Sequence, residues 1–375
     1  MNYAGERIGT GTAAVVERRR GGVDQPFAAL TLLLLTIGVV MVLSASYARA
    51  YYSEATGHNA AYYFMRQLGF ALAGVGAMYA LSLFPMRFYR RMSFIVLAGA
   101  VGLLALVPFI GVSQGDAKRW ISLGFTTFQP SEIAKIGVIL YFAALICKFK
   151  GRMRTVRYGI LPFAGVLLVV VALLVMEPHF SAAIIIIAIG AVMLFLGGVR
   201  LYWFVGALVA AGAALGVVMT FFPYASSRIS TWLDPFANTS GNGYQIVQSL
   251  YAIGSGGLFG LGLGQGRQKY FIFPVVCEEL GFVGAIAILI LFALLVVRGY
   301  WLALHMRDRY SFLVTAGITT LLAIQVFLNV AVVTNLVPCT GISLPFFSYG
   351  GTALLIQLAE MGIVLSASRD IPARQ

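Results

Sequence analysis

Stretches of about 20 apolar residues recur along this chain, and no other feature constrains its fold as strongly. "FAALTLLLLTIGVVMVLSASY" (27–47) is the first of them, and "ILILFALLVV" (288–297) lies inside another. Inside a bilayer every backbone N–H and C=O must find its partner within the protein, so only helices and closed barrels can cross. A helix needs about 20 apolar residues to span the hydrocarbon. Barrel strands are about 10 residues long and alternate apolar with polar side chains. These runs are too long and too uniformly apolar for strands. We read ten spans: 27–47, 64–84, 93–110, 131–148, 158–176, 180–198, 201–222, 272–297, 311–334 and 350–367.

The chain is therefore predicted to be all-α, a polytopic integral membrane protein of ten transmembrane helices, with a long outer loop between spans seven and eight. Residues 1–25 form an N-terminal tail, 26–368 one membrane domain, and 369–375 a C-terminal tail. Composition agrees: 60% of residues are hydrophobic and 10% charged, where a soluble domain has about 45–50% and about 25%.

Orientation follows from the basic residues, which collect on the cytoplasmic side. With the N-terminus inside, the inner segments hold Arg7, Arg18, Arg19, Arg20, Arg87, Arg90, Arg91, Lys148, Lys150, Arg152, Arg154, Arg157, Arg200, Arg298, Arg307, Arg309, Arg369 and Arg374, which is 18 of the 26. Both termini are thus expected in the cytoplasm. The same bias accounts for the net charge of +13, so nucleic acid is not an expected partner. Cys147, Cys277 and Cys339 show no paired spacing, which supports neither a disulfide framework nor a metal site. No nucleotide-binding motif is present.

The polar complexity lies on the outer side, in residues 115–135, 223–271 and 335–351. Tyr244, Val247, Gln248, Tyr251 and Ile253 fall near helical spacing, which predicts a helix at the membrane interface inside the long loop. The outer cations Lys118, Arg119, Arg228, Arg267 and Lys269 run against the positive-inside trend and suit an anionic lipid head. Trp120 and Trp232 beside them fit either interface anchoring or stacking on a ligand. Glu278 and Glu279 are carboxylates within a span, which marks a functional site by default. Adjacent helical residues point about 100° apart, so one is expected to face a cavity and the other to pair with a cation such as Lys135 or Arg228. Glu177 and His179 lie at an outer helix end, where His179 is a candidate proton carrier or a structural residue.

Taken together, "AKRWISLGFTTFQPSEIAK", "RISTWLDPF", "GYQIVQSLYAIGSGGLFGLGLGQGRQK", "EELGFVG" and "TGISLPFFSYGG" resemble the SEDS family of bacterial cell-wall proteins (FtsW, RodA and SpoVE). The motifs occur in family order over nearly the whole chain. "LSASYARAYY" and "EPHFSAAI" are most similar to division-type members of clostridial Gram-positives. The resemblance implies a peptidoglycan glycosyltransferase of the bacterial cytoplasmic membrane. Such a protein polymerises lipid II, an undecaprenyl-diphosphate-linked muropeptide, among membrane lipids and beside a class B penicillin-binding protein. Substrate-binding residues implied by the motifs are Lys118, Arg119, Trp120, Arg228, Trp232, Gln245, Gln248, Lys269, Ser348 and Tyr349. No cofactor is evident, although a divalent cation would suit the diphosphate.

One departure from the family pattern concerns the chemistry itself. Members carry a segment resembling "YLYLPEPHNDFIF" whose aspartate is the presumed general base. This chain passes from Tyr270 directly to Phe271 in "QKYFIFPVVCEELG", so about nine residues and that aspartate are missing. Asp234, Asp116 and Glu278 are the carboxylates left as substitutes, with Asp234 before Pro235 also reading as a turn residue. A lipid II flippase and a catalytically inactive scaffold of the division complex are the alternatives.

Overall fold

A computed structural model describes residues 21–371, apart from 115, 116, 125, 208, 210, 211, 213–215, 217–222, 238, 240, 242 and 267–270. Asp24 starts the first helix, α1 (Gln25–Tyr51), by accepting the N–H of Phe27 at 2.9 Å, with proline in the first turn. Its carboxylate also takes two hydrogen bonds from Arg298, at 3.0 and 2.5 Å, and its own N–H donates to Ser368 Oγ at 3.1 Å. Three helices are thereby tied at one end of the bundle, where the described chain both begins and finishes: Gly21 N–H donates to Arg369 O.

The helices that follow are α2 (Tyr62–Leu83), α3 (Met86–Ile110), α4 (Pro130–Phe149), the short α5 (Val156–Gly159), α6 (Leu161–Met176) and α7 (Phe180–Gly197). After them come α8 (Pro223–Leu233), α9 (Tyr244–Ser255), α10 (Ile272–Leu304), α11 (Arg309–Val333) and α12 (Gly351–Ser368). Among the described residues, eight helices are long and apolar enough to cross a membrane, counting Val156–Met176 as one. A ninth long helix, α4, is buried along nearly all of its length and packs against α3, α7 and α11. It is the central post, and this explains why its sequence shows no polar stripe.

Helix α7 finishes at the terminal end, where Gly197 O accepts from Arg309, whereas α8 and the start of α10 lie at the opposite end. The predicted span 201–222 falls largely outside the described residues. The interfacial helix predicted around Tyr244–Ile253 is α9.

Close approach between α2 and α12 depends on a small residue: a Cβ on Gly362 would lie 2.5 Å from the carbonyl oxygen of Met78. Without a hydrophobic driving force between helices in lipid, such backbone proximity carries much of the association. Leu72, Phe94 and Ile290 remain exposed and face outward from the bundle, where lipid would cover them.

Two features were not foreseen in the sequence. Residues 112–128 form a small antiparallel sheet of β1 (Val112–Gln114), β2 (Ala117–Ser122) and β3 (Thr127–Phe128), in the order β1-β2-β3. Val112 is opposite Trp120, and Ile121 is opposite Phe128. The second feature is a break in α10 at Gly281, whose φ of 70° and ψ of −172° are not helical. Backbone groups released by the break bond to the glycine-rich loop before it. The N–H groups of Leu261 and Gly262 donate to the carbonyls of Glu278 and Glu279, and those of Phe282 and Val283 donate to Gly257 and Leu258.

For Glu279 this arrangement supplies partners other than the expected cation. Glu279 Oε2 accepts from Ser44 Oγ at 2.5 Å and Oε1 from the N–H of Gly266 at 3.2 Å. Lys135 instead pairs with Glu132, one turn earlier on its own helix, at 2.7 Å. Residues three apart lie on the same helical face, which puts Glu132 within direct reach of Lys135. Glu278 is also buried.

Candidate functional site

A cavity of about 560 Å³ opens at the end of the bundle opposite the termini. Six helices begin on its walls: α2 contributes Tyr63, α4 Glu132, α7 Ser181, α9 Gln245, α10 Ile272 and α12 Ala353. Among the described residues only α1, through Arg49, and α11, through Gln325 and Asn329, approach it with their C-terminal portions. A helix start carries unpaired N–H groups and roughly half a positive charge. The imbalance therefore makes the cavity attractive to an anion even before side chains are counted.

The side chains add to that field. Glu132 and Lys135 form their ion pair on the cavity wall, both buried. Arg119, on β2, donates through Nε to the Glu177 carbonyl at 3.4 Å and through Nη2 to that of Pro178 at 2.5 Å. Gln129 Nε2 donates to His179 Nε2 at 3.3 Å. Burial, with Arg119 and Lys135 adding to it, lowers the His179 imidazole to about 3, so it is neutral at physiological pH. Burial raises the neighbouring Glu177 carboxyl to about 8, against the pull of Arg119. Among the described lining residues Arg49, Arg119 and Lys135 thus stand against Glu132, which gives a positive excess.

Amide side chains fix the remaining wall. Asn329 Nδ2 donates to Ile342 O at 2.7 Å, Phe346 N–H to Gln357 Oε1 at 3.0 Å, and Gln67 Nε2 to Ser348 O at 3.2 Å. Ser181 Oγ donates to the Thr340 carbonyl. Segment 339–350 is therefore held by groups from α2, α7, α11 and α12.

Of the residues expected from sequence, Arg119, Trp120, Gln245, Ser348 and Tyr349 line this cavity. Lys118 points the other way, its Nζ donating to the carbonyls of Pro108 and Phe109 at 2.8 and 3.3 Å. Arg228 donates to Cys339 O at 3.2 Å, and Trp232 Nε1 to Asn335 O at 3.1 Å, so both fasten α8 to the segment after α11. Gln248 lies half-buried on α9, away from the lining. Asp234 is an exposed turn residue accepting from Ala237 N–H at 3.1 Å, and neither it nor Glu278 reaches the cavity wall. Lys269, Arg267 and Asp116 lie outside the described residues. Phe271, immediately after the point where the resemblance implies a missing segment, is on the wall.

The sequence reading passed over Arg49, Gln129, Glu132, Gln325, Asn329 and Gln357 as site residues. Their signal was available: a charge or an amide inside an otherwise apolar helix, as with Gln325 and Asn329 four residues apart on α11.

Comparison with known proteins agrees with this geometry. The sequence matches the family described as Cell cycle protein (FtsW/RodA/SpoVE) over residues 25–371. It is 38% identical over 352 residues to Stage V sporulation protein E of Bacillus subtilis strain 168, covering 91% of this chain and 95% of that one. Identity to the probable peptidoglycan glycosyltransferase FtsW of Trichlorobacter lovleyi is 39% over 354 residues, covering 91% and 92%. Among solved structures, a chain of a peptidoglycan synthase complex that coordinates polymerization and crosslinking superposes with a TM-score of 0.80 at 28% identity, covering 93% and 98%. The rod shape determining protein RodA of Thermus thermophilus gives 0.69 at 29%, covering 94% and 98%. A match across almost the entire membrane body, in sequence and in fold, establishes that the chain belongs to the FtsW/RodA/SpoVE family.

Proposed function

We propose that the chain is a peptidoglycan glycosyltransferase-type protein of bacterial wall synthesis, whose cavity binds lipid II. One observation carries the reading: an electropositive cavity surrounded by helix starts, at the end of the bundle where outer loops are expected. A sugar diphosphate carried on a lipid is an anion tethered to the bilayer surface, and this cavity offers it charge at that depth. In the transfer, a hydroxyl of one saccharide attacks the anomeric carbon of another, and the lipid diphosphate departs. Arg119, Lys135 and the helix starts face the negative charge that develops on the leaving group.

The proton of the attacking hydroxyl is the weak point. Glu132 is the carboxylate on the described wall, and it is held by Lys135 at 2.7 Å. With the family's aspartate missing, turnover is expected to be slower by roughly 10²–10⁴-fold, the usual contribution of a general base. A divalent cation would have to arrive on the diphosphate. Among the described residues no group of three His, Cys, Asp or Glu side chains gathers to hold one.

The basic residues support placing both termini in the cytoplasm of the bacterial cell. The likeness to a chain of a synthase complex supports a cross-linking partner, which we take to be a class B penicillin-binding protein. The missing aspartate favours a second reading, in which the chain binds lipid II within such an assembly without turning it over. Polymerisation of lipid II by the purified protein, with its partner, separates the two. The assay is run beside a version carrying an aspartate-bearing segment inserted between Tyr270 and Phe271. The first reading requires glycan strands from the repaired chain, far in excess of those from the parent. Strands from neither, with lipid II still bound, support the second reading. Failure to bind lipid II overturns both.

A further inference from the structure

Among the described residues three cations line the cavity, and they differ in what they already hold. Lys135 is bound to Glu132, and Arg119 directs two of its donors at backbone carbonyls. Among the described residues Arg49 makes no hydrogen bond or ion pair. Its guanidinium carbon lies 5.9 Å from the centroid of the Tyr63 ring, and Tyr63 meets Tyr349 edge-on at 5.1 Å. All three residues line the cavity, and Arg49 is exposed at its mouth. From this we infer that Arg49 is the arm that takes the phosphate oxygens of the lipid-linked substrate, with Tyr63 and Tyr349 setting its position. The inference rests on the functional reading above and assigns the group that meets the diphosphate.

Depth in the membrane supports the assignment. Arg49 lies in the last turn of α1, among the exposed Tyr47, Tyr51 and Tyr52. Tyrosines concentrate where hydrocarbon gives way to headgroups. A diphosphate whose isoprenoid tail stays in the bilayer must sit at that level. Guanidinium chemistry supports it as well. A planar fork of five N–H donors matches two phosphate oxygens at once, and this one has its donors uncommitted. Helix polarity adds a third reason. Among the described residues the end of α1 is one of two helix C-termini directed at the cavity, and its negative pole would repel an anion. A cation in that last turn reverses the local sign.

The test is binding of undecaprenyl diphosphate to the full chain in phosphatidylcholine nanodiscs, at low and high salt. Arg49→Gln is expected to weaken binding about tenfold or more, as for loss of hydrogen bonds to a charged group, and to flatten the salt dependence. Arg49→Lys keeps the charge without the fork and is expected to recover part of the affinity. Arg91→Gln makes the same charge change at the other end of the bundle and should bind like the parent. Inorganic pyrophosphate should compete more weakly, with the same dependence on Arg49. Parent-like affinity in Arg49→Gln overturns the inference, and so does an equal dependence on Arg49 for binding phosphatidylglycerol. If Arg49→Gln does not fold, Arg49→Lys decides: a several-fold loss supports the assignment, and unchanged affinity overturns it. Absence of binding by the parent removes the functional reading itself, whereas parent binding without Arg49 dependence removes only this inference.

Discussion

Glu279 Oε2 accepts the hydroxyl of Ser44 at 2.5 Å, and through this contact α1 holds the loop that precedes α10. The same hydroxyl oxygen takes the N–H of Gly264 at 2.7 Å, while Glu279 Oε1 takes that of Gly266. This carboxylate is a staple for a glycine-rich loop. Ser44→Ala leaves a buried carboxylate and a loop N–H each short of a partner. It is expected to cost about 1–3 kcal/mol, measured as a lower unfolding midpoint in detergent, with faster proteolysis between 256 and 266.

Gly281 should tolerate no side chain. A Cβ there would lie 2.3 Å from the backbone nitrogen of Gly260, and its φ of +70° is strained for any L residue. We expect Gly281→Ala to destabilise by roughly 3 kcal/mol or more, from strain and overpacking together. Gly264, at φ +79° with nothing within 4 Å of its Cβ position, isolates the backbone contribution, and Gly264→Ala should cost about 1 kcal/mol. Equal losses from both substitutions would show that contact with the loop contributes nothing.

The buried pair Glu132–Lys135 should behave as a unit. Lys135→Met alone leaves a buried carboxylate without its cation and is expected to cost roughly 3–5 kcal/mol. Adding Glu132→Gln should return most of that stability while leaving lipid II polymerisation low even in the loop-repaired chain. Unfolding of the two single variants and the double variant gives the coupling directly.

Stability should fall with pH through Glu177. Its folded carboxyl is raised from 4.5 to about 8 by burial, so the neutral form is favoured in the fold. That contribution is fully present below pH 4.5 and is lost as pH rises through about 8. Glu177→Gln should remove the slope between these limits and leave the variant more stable than the parent at pH 9. Unfolding midpoints at pH 5, 7 and 9 for both proteins check the sign.

The membrane spans within the described residues, and α9, were legible because apolar run length and helical spacing are local properties of the chain. The cavity was only partly so. Lys118 and Arg119 read as a pair of cations for one ligand, but they occupy a strand, where neighbours point to opposite faces. One reaches the end of α3 and the other the turn after α6. Without recognising the strand, no spacing argument separates them. Arg49 and Tyr349 are 300 positions apart, and it is Tyr63, near the start of α2, that meets both and brings them to one mouth. Glu279 was expected to face a cavity or to pair with a cation, yet its partners are the Ser44 hydroxyl of α1 and the backbone N–H of Gly266, which no spacing in the sequence points to.

The six helix starts around the cavity make its attraction for anions a property of the backbone. Such a field is spread over many peptide dipoles and survives the loss of any one side chain. Substitution of single lining residues should therefore grade anion affinity in steps, and only a change in how the helices converge should switch it off.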